Sequence, residues 1–414
     1  MKVAVVGAGV SGLVAARALS RHHEVSVFEA ADYAGGHTHT VDVQCGDRSW
    51  PVDTGFIVCN DRTYPRFHAL LQELGVRTRP THMTLSVGVD YTGVEYSGDG
   101  FGGVFAQSGN LLRPAFWRLL ADIRRFGNEL REALPQLDPA VTIGEFVGPR
   151  RYGSLFYDHY LVPMISAVWS APAGQVAQFP ARFFGDFFDH HGLLTFRDRP
   201  CWQVVEGGSR SYVAPLTASF RERLYLRTPV VRVLRDPQGV RLRTGTGDEA
   251  HFDRVVLACH SDQALRMLGD ASAQEQALLS ALPYERNEVV LHTDTRALPR
   301  AQRAWACWNY RVRGSDQPAV VTYNMNRLQG FDAPETFCVT LNDSAQLAPE
   351  RILNRFVYHH PVYTPQGVHA RARLQDISGA GHIFYAGAYW GDGFHEAGVV
   401  SGERAAAAVE ASAP

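Results

Sequence analysis

The chain has 414 residues, 45% hydrophobic and 20% charged, with a formal net charge of -2. That length exceeds one ordinary core and predicts two compact units, while the balance excludes a disordered or collagen-like chain. The near-neutral charge gives no electrostatic case for a nucleic-acid partner.

The first strand is read at Val3 to Val6, a continuous apolar run of the kind buried on both faces of a parallel sheet. Lys2 before it is the sole lysine of the chain; every other cationic side chain except histidine is arginine. Gly7-Ala8-Gly9-Val10-Ser11-Gly12 follows, then a helix over Leu13 to Arg21 and a second strand over Glu24 to Phe28 that ends at Glu29. Strand, G-x-G-x-x-G, helix, strand and acid form the dinucleotide-binding layout. Gly7 makes the tight turn, Gly9 admits a pyrophosphate to the backbone, and Gly12 lets helix and strand pack closely. The helix N-terminus, with Ser11 beside it, offers free N–H groups to the anion. Glu29, 22 residues after Gly7, accepts hydrogen bonds from the adenosine ribose and repels a 2′-phosphate. These glycines also make the segment a poor signal peptide. No stretch approaches the ~20 apolar residues of a membrane span.

Gly35-Gly36-His37 and then Asp53-Thr54-Gly55 follow the second strand. A simple NAD domain does not need this second glycine pair. A flavoprotein does, because the backbone there passes the FAD diphosphate and ribityl chain.

Residues 80–199 and 262–372 are assigned to a substrate domain. Phe116, Leu119, Leu120, Ile123, Phe126, Leu130 and Leu134 form one helical stripe. Core packing is favoured over an interfacial helix, because Asp122, Glu129 and Glu132 offset three of its five arginines. Phe179, Phe183, Phe184, Phe187 and Phe188 form a denser stripe, read as core, with an acyl-chain tunnel as the alternative.

The chain then returns to the cofactor. Gly207-Gly208-Ser209 is a further glycine doublet, and Val231 lies in the short strand that follows. Phe252 to Ala258 and Ile383 to Ala386 are two more strands. Gly387 and Asp392 lead into Gly393-Phe394-His395-Glu396, where the last helix starts and directs its positive end at the flavin pyrimidine. Segments 1–79, 200–261 and 373–414 therefore make the cofactor domain. The predicted class is α/β: a Rossmann-type FAD-binding domain assembled from three segments, plus a mixed α+β substrate domain.

Six cysteines without a C-x-x-C pair argue against a zinc ribbon or disulfide scaffold, and fit a reducing, cytoplasmic location. The adjacent pairs His190-His191 and His359-His360 lack metal-ligand spacing, so no metal is expected. There is no G-x-S-x-G elbow for a serine hydrolase.

In this order the pieces resemble the FAD-dependent amine oxidase and phytoene desaturase superfamily. Within it, several motifs are similar to the flavoprotein domain fused ahead of plant cyclopropane fatty acid synthases and to its stand-alone bacterial homologues. They are Gly35-Gly36-His37, Asp53-Thr54-Gly55-Phe56, Asn60, Thr63-Tyr64-Pro65, Tyr160 to Met164, Trp169-Ser170, Trp308-Asn309-Tyr310, Tyr323 to Asn326 and Gly393 to Glu396. The resemblance implies FAD and a link to fatty acyl chains; no Cys or His sits at an obvious flavin-linking position, which favours non-covalent FAD over attachment through His37, His39 or His395. Two departures stand out: Ala386-Gly387-Ala388 replaces the usual Ala-Gly-Glu, so that a carboxylate contact is either lost or moved to Asp392, and Ala397 replaces an aspartate.

The superfamily's amine oxidases use a lysine near flavin N5, and Lys2 in the first strand cannot serve. Phe394 matches one aromatic cage position, with Tyr358, Tyr363, Tyr389 and Trp390 as candidates for the other. His395, Tyr310 and Tyr323 are the expected catalytic groups, with Asn309 and Asn326 beside them; His395 is read as a base titrating near neutral pH. The expected activity is dehydrogenation of a small-molecule or lipid-like substrate by hydride transfer to FAD. The alternatives are an amine oxidase releasing hydrogen peroxide, a redox-inert flavoprotein supporting a methyltransferase partner, and an FAD-dependent isomerase. Peripheral membrane contact stays open.

Overall fold

A computed structural model describes residues 1–169, 173–195, 199–313 and 320–413; Ser170 of the Trp169-Ser170 pair lies outside them. Its centre is a five-stranded parallel sheet ordered Leu224–Tyr225, Glu24–Phe28, Lys2–Val6, Arg254–Leu257, Ile383–Tyr385. The first strand explains the layering. Val3 and Val5 enter one core with Leu13, Val25, Val27, Val399 and Val409. Ala4 and Val6 point the other way, into a core with Val233, Val240, Phe252 and Leu278. A strand covered on both faces has no polar side to show, hence its unbroken apolar run.

The helix Val10–Leu19 connects Lys2–Val6 to Glu24–Phe28 on one side, while Arg254–Leu257 pairs on the other. The connections diverge at the carboxyl end of the first strand, and a crevice opens there. The helix begins at Val10 with Gly9 as its N-cap, three residues earlier than the sequence pattern places it. The last helix, His395–Ala411, packs across it. A Cβ on Gly402 would stand 2.4 Å from the Ser11 carbonyl oxygen, and one on Gly398 2.6 Å from Val10 Cγ1. Two glycines one turn apart thus set how closely these helices approach.

A three-stranded meander, Val230–Asp236, Gly239–Thr244 and Glu249–Phe252, covers the second face of the sheet. Helices Ser261–Met267 and Ala273–Ser280 pack there too, through Ala264, Leu278 and Leu279. Their packing on the cofactor sheet lies just past the sequence boundary at 261.

The second unit holds a seven-stranded sheet: Ile352–Pro361, Tyr284–His292, Cys338–Leu341, Val320–Asn324, Trp308–Val312, Leu85–Val89, Val94–Ser97. It is antiparallel except where Trp308–Val312 meets Leu85–Val89. A helical core packs beside it. Phe116, Leu119, Phe126 and Leu130 of helix Pro114–Ala133 are buried there, as the core reading expects. The phenylalanine stripe gathers around Trp169, with ring centroids 4.8–6.3 Å away. No helix among the described residues is long and apolar enough to cross a membrane.

Candidate active site

The crevice widens into a cavity of about 780 Å³ lined by both units. One end is built from glycines. Gly7 has φ +107°, and a Cβ there would stand 2.5 Å from the Ala258 carbonyl oxygen. A Cβ on Gly12 would stand 2.0 Å from the Gly7 carbonyl oxygen, so only glycine lets the helix seat on the strand. Gly9 differs: a Cβ there meets nothing within 4 Å, because the residue borders the open cavity. Gly35 bridges to Gly9, and with Gly36 and Gly55 it lines the same end. The helices Val10–Leu19 and His395–Ala411 both present N-termini to the cavity with no side-chain cap. Their first amide donors lack intrahelical partners, which suits an anionic or carbonyl-rich ligand. A dinucleotide fits this cradle.

Glu29 lies at the mouth of the cradle. Its carboxylate accepts hydrogen bonds from the backbone N–H of Ala8 at 2.7 Å and of Ala31 at 2.8 Å, which fix its aim. Val231 and Arg266 line this end as well. His37, His260 and His360 form a cluster on the wall, with His37 5.4 Å from His360 and 6.3 Å from His260 between ring centroids. Burial pushes the His37 and His260 imidazoles down to about 4.

Asp53 does not line the cavity. It is fully buried and accepts hydrogen bonds from Thr40 Oγ1, the Ser209 N–H, Ser209 Oγ and Gln329 Nε2 at 2.5–2.9 Å. Instead of contacting a ligand, it ties Thr40 and the Gly208-Ser209 turn to Gln329 in the second unit. Burial raises its carboxyl to about 6 against the pull of these donors.

Gly387, Asp392, Phe394 and His395 all line the cavity, as does Ser11. Asp392 is half exposed, 3.7 Å from Arg371 Nη2. His395 Nε2 lies 2.9 Å from the Tyr212 hydroxyl and 3.0 Å from Thr38 Oγ1, and the ring stacks on Phe56 at 3.4 Å. Burial holds this imidazole well below 6.5. The sequence reading expects a histidine titrating near neutral pH; burial moves it below that range, and two hydroxyls stand within hydrogen-bond distance of its Nε2.

The other expected catalytic residues separate. Tyr323 reaches the cavity and meets Trp308 edge to face at 5.3 Å. Tyr310 lies outside the lining, buried against Ala167 and Val321, so its assignment to the reacting face is corrected. Asn309 bonds Ser86, Thr322 and both backbone groups of Ala306, and Asn326 bonds Glu335 and Phe337. Both amides serve the fold. Tyr358, Tyr363 and Tyr389 line the cavity with Phe394, whereas Trp390 packs behind.

The far end is walled by Tyr64, Met83, Trp169, Leu193, Trp202 and Trp308, with Phe187 the only member of the phenylalanine stripe to reach it. No acidic or basic side chain stands among these residues, although the Asp392 carboxylate of the same cavity acts on Tyr64; the sole lysine, Lys2, is not in the lining. Sequence reasoning missed Tyr212 and Thr38, which hold His395, and the tryptophan wall. Trp308 stands directly opposite Tyr323 on the paired strand, a register the sequence alone does not give. Tyr212 carried no spacing signal, being 183 residues from its partner.

The model of the flavin-containing amine oxidoreductase family matches residues 10–410. The Mycobacterium tuberculosis protein AofH, named as a flavin-containing monoamine oxidase, is 27% identical over 338 residues, covering 78% of this chain and 70% of that one. Putrescine oxidase bound to putrescine has the same fold, with TM-score 0.72 and 15% identity over 99% of each chain. So does a fatty acid isomerase from P. acnes, with TM-score 0.68 and 14% identity over 99% of this chain and 98% of that one.

Proposed function

Because the chain belongs to the flavin-containing amine oxidoreductase family and is an FAD-dependent oxidoreductase, we propose that it withdraws hydrogen from an apolar, lipid-like acyl chain rather than from an amine. The observation that carries this reading is the uncharged aromatic wall at the far end of the cavity. An ammonium ion taken from water needs a carboxylate or an aromatic cage to offset its desolvation; the wall residues carry no carboxylate, and Asp392, whose charge reaches Tyr64, is half exposed and answered by Arg371. A methylene chain is matched by tryptophan, phenylalanine and leucine surfaces.

FAD, when bound, supplies the acceptor for a hydride. The residues proposed to hold it are Gly7, Gly9, Ser11, Gly35, Gly36 and Gly55 along the diphosphate, with Glu29 at the ribose and Val231 near the adenine. The uncapped N-terminus at Phe394 and His395 would face the pyrimidine, where its dipole favours negative charge. Phe394 stacks on Phe187 at 5.0 Å, which positions a wall between the cofactor and acyl ends. Tyr323 would keep its proton, since burial pushes its hydroxyl up, and would orient substrate as a donor.

Mass spectrometry of acyl lipids incubated with the FAD-loaded protein tests the reading. Dehydrogenation removes two hydrogens from the chain. A product of unchanged mass with a moved double bond would favour isomerisation, the activity named for the P. acnes neighbour. Amine oxidation remains the second reading, supported by the monoamine oxidase name of AofH and by Tyr363 and Phe394 sharing the cavity.

A further inference from the structure

On the outer side of the second unit, three large apolar side chains stand in water: Phe101 is 72% exposed, Leu112 87% and Trp117 49%. They form one patch. The Phe101 ring lies 4.8 Å from Phe105, and Phe105 lies 5.2 Å from Trp117. The indole N–H of Trp117 donates to the Leu111 carbonyl at 2.9 Å, holding Leu111 and Leu112 beside it. Phe105 is the buried floor, so the patch is a built surface and not a loose loop. Isolated exposed apolar residues need no explanation, but a contiguous group with its own floor does.

The surrounding charge is one-sided. Asp99 is paired with Arg327, and Asp122 with Arg118 and Arg125. The Glu95 carboxylate accepts the backbone N–H groups of Arg300 and Ala301 at 3.0 and 2.8 Å. Asp99 and Asp122 are thus ion-paired, and Glu95 is held by backbone donors while keeping its charge. Arg113, Arg124 and Arg303 are exposed and form no ion pair among the described residues. Arg113 adjoins Leu112. Arg124 is seven residues after Trp117, on the same helix face. Arg303 lies in the turn Gln302–Ala304 that packs on the helix Gly100–Val104 bearing Phe101.

We propose that this patch docks on an anionic phospholipid surface. Phe101 and Leu112 would enter the acyl boundary and Trp117 would sit at the headgroup level, where an amphipathic ring is favoured. The three unpaired arginines would lie over lipid phosphates. A protein partner of ordinary composition would not call for three unanswered cations around an aromatic tip. The inference is independent of the proposed chemistry: the patch is the same whichever substrate the cavity takes.

Co-sedimentation of the full FAD-loaded protein with vesicles tests it. Vesicles of phosphatidylcholine with phosphatidylglycerol should carry the protein down, and phosphatidylcholine alone should not. Raising salt from about 0.1 M to about 0.5 M should weaken the binding. Leu112→Glu should weaken it at least about tenfold, the worth of one buried leucine side chain. Phe101→Glu should do likewise, and both variants should melt with the parent, since the replaced side chains touch water. Failure of the parent to bind, equal binding by Leu112→Glu, or equal binding to neutral vesicles would overturn the proposal. So would a dimer in light scattering that Leu112→Glu splits, because a second copy would then cover the patch.

Discussion

The Nε2 atom of His395 lies 2.9 Å from the hydroxyl of Tyr212, a residue 183 positions away in the chain. Thr38 joins the same nitrogen, and Thr38 and Tyr212 also bond each other. The contact welds the last helix to the turn after Gly208, two of the three segments of the cofactor domain. A structural role for the imidazole has consequences that can be measured.

His395→Ala should remove these bonds and the stack on Phe56, destabilising the protein by about 1–3 kcal/mol and lowering FAD content. Flavin reduction normalised to bound FAD should stay within about threefold of the parent, well short of the roughly 10²–10⁴ of a lost acid or base. Stopped-flow reduction across pH checks this. A larger loss, accompanied by disappearance of an ionisation near neutral pH, would make the imidazole a catalytic base.

Glu29→Arg should yield protein with little FAD. The carboxylate, aimed by the N–H groups of Ala8 and Ala31, is replaced by a donor where the ribose needs an acceptor. Absorbance of the purified variant and release of FAD on heating measure the occupancy; full occupancy would remove Glu29 from the ribose.

Gly402→Val should cost about 1–3 kcal/mol through overpacking, because its Cβ would stand 2.4 Å from the Ser11 carbonyl oxygen. Ser11 and Val10 border the cavity, so FAD binding should weaken with stability. Thermal melts with and without added FAD follow both effects, and a parent-like melt would show that the two helices can separate freely.

Stability should fall as pH drops from about 6.5 towards 4. His191 and His292 are buried away from the glycine cradle, and burial pushes each down to about 4. His292 accepts the Asp294 N–H at Nδ1 and approaches Thr340 through Nε2, so protonation breaks a bond. The unfolded chain takes up these protons near pH 6.5, before the native one, so acid favours unfolding by at most roughly 3 kcal/mol per residue. Asp53, raised to about 6, acts the other way over its own range, because the native carboxyl takes its proton first. Two imidazoles outweigh that one carboxyl. Melting should therefore be lower at pH 5 than at pH 8, and His292→Asn should flatten the difference. Equal melting temperatures at both pH values would contradict the assignment.

Local chemistry was legible in the sequence. Gly7, Gly9, Gly12 and Glu29 declared a dinucleotide crevice because each backbone demand falls within one βαβ unit. The apolar run at Val3 to Val6 announced a strand covered on both faces. Contacts between distant segments were not legible. Asp53 looked like a ligand contact from its place beside Gly55, yet its partners are Ser209 and Gln329, 156 and 276 residues away. Tyr310 and Tyr323 looked equivalent on adjacent strands. They part because Tyr323 faces the cavity beside Trp308, whereas Tyr310 packs on Ala167. The tryptophan wall comes from separate segments, so no spacing rule gathers it.

Anaerobic reduction of the bound flavin tests the central claim most directly. The FAD-loaded protein is mixed, without oxygen, with polyamines, monoamines, amino acids and acyl lipids, and its visible absorbance is followed. The uncharged aromatic wall and the absence of a lysine near it predict that an acyl lipid bleaches the flavin while the amines leave it oxidised at saturating concentration. Rapid bleaching by a polyamine or monoamine, with every acyl lipid inert, would contradict the account.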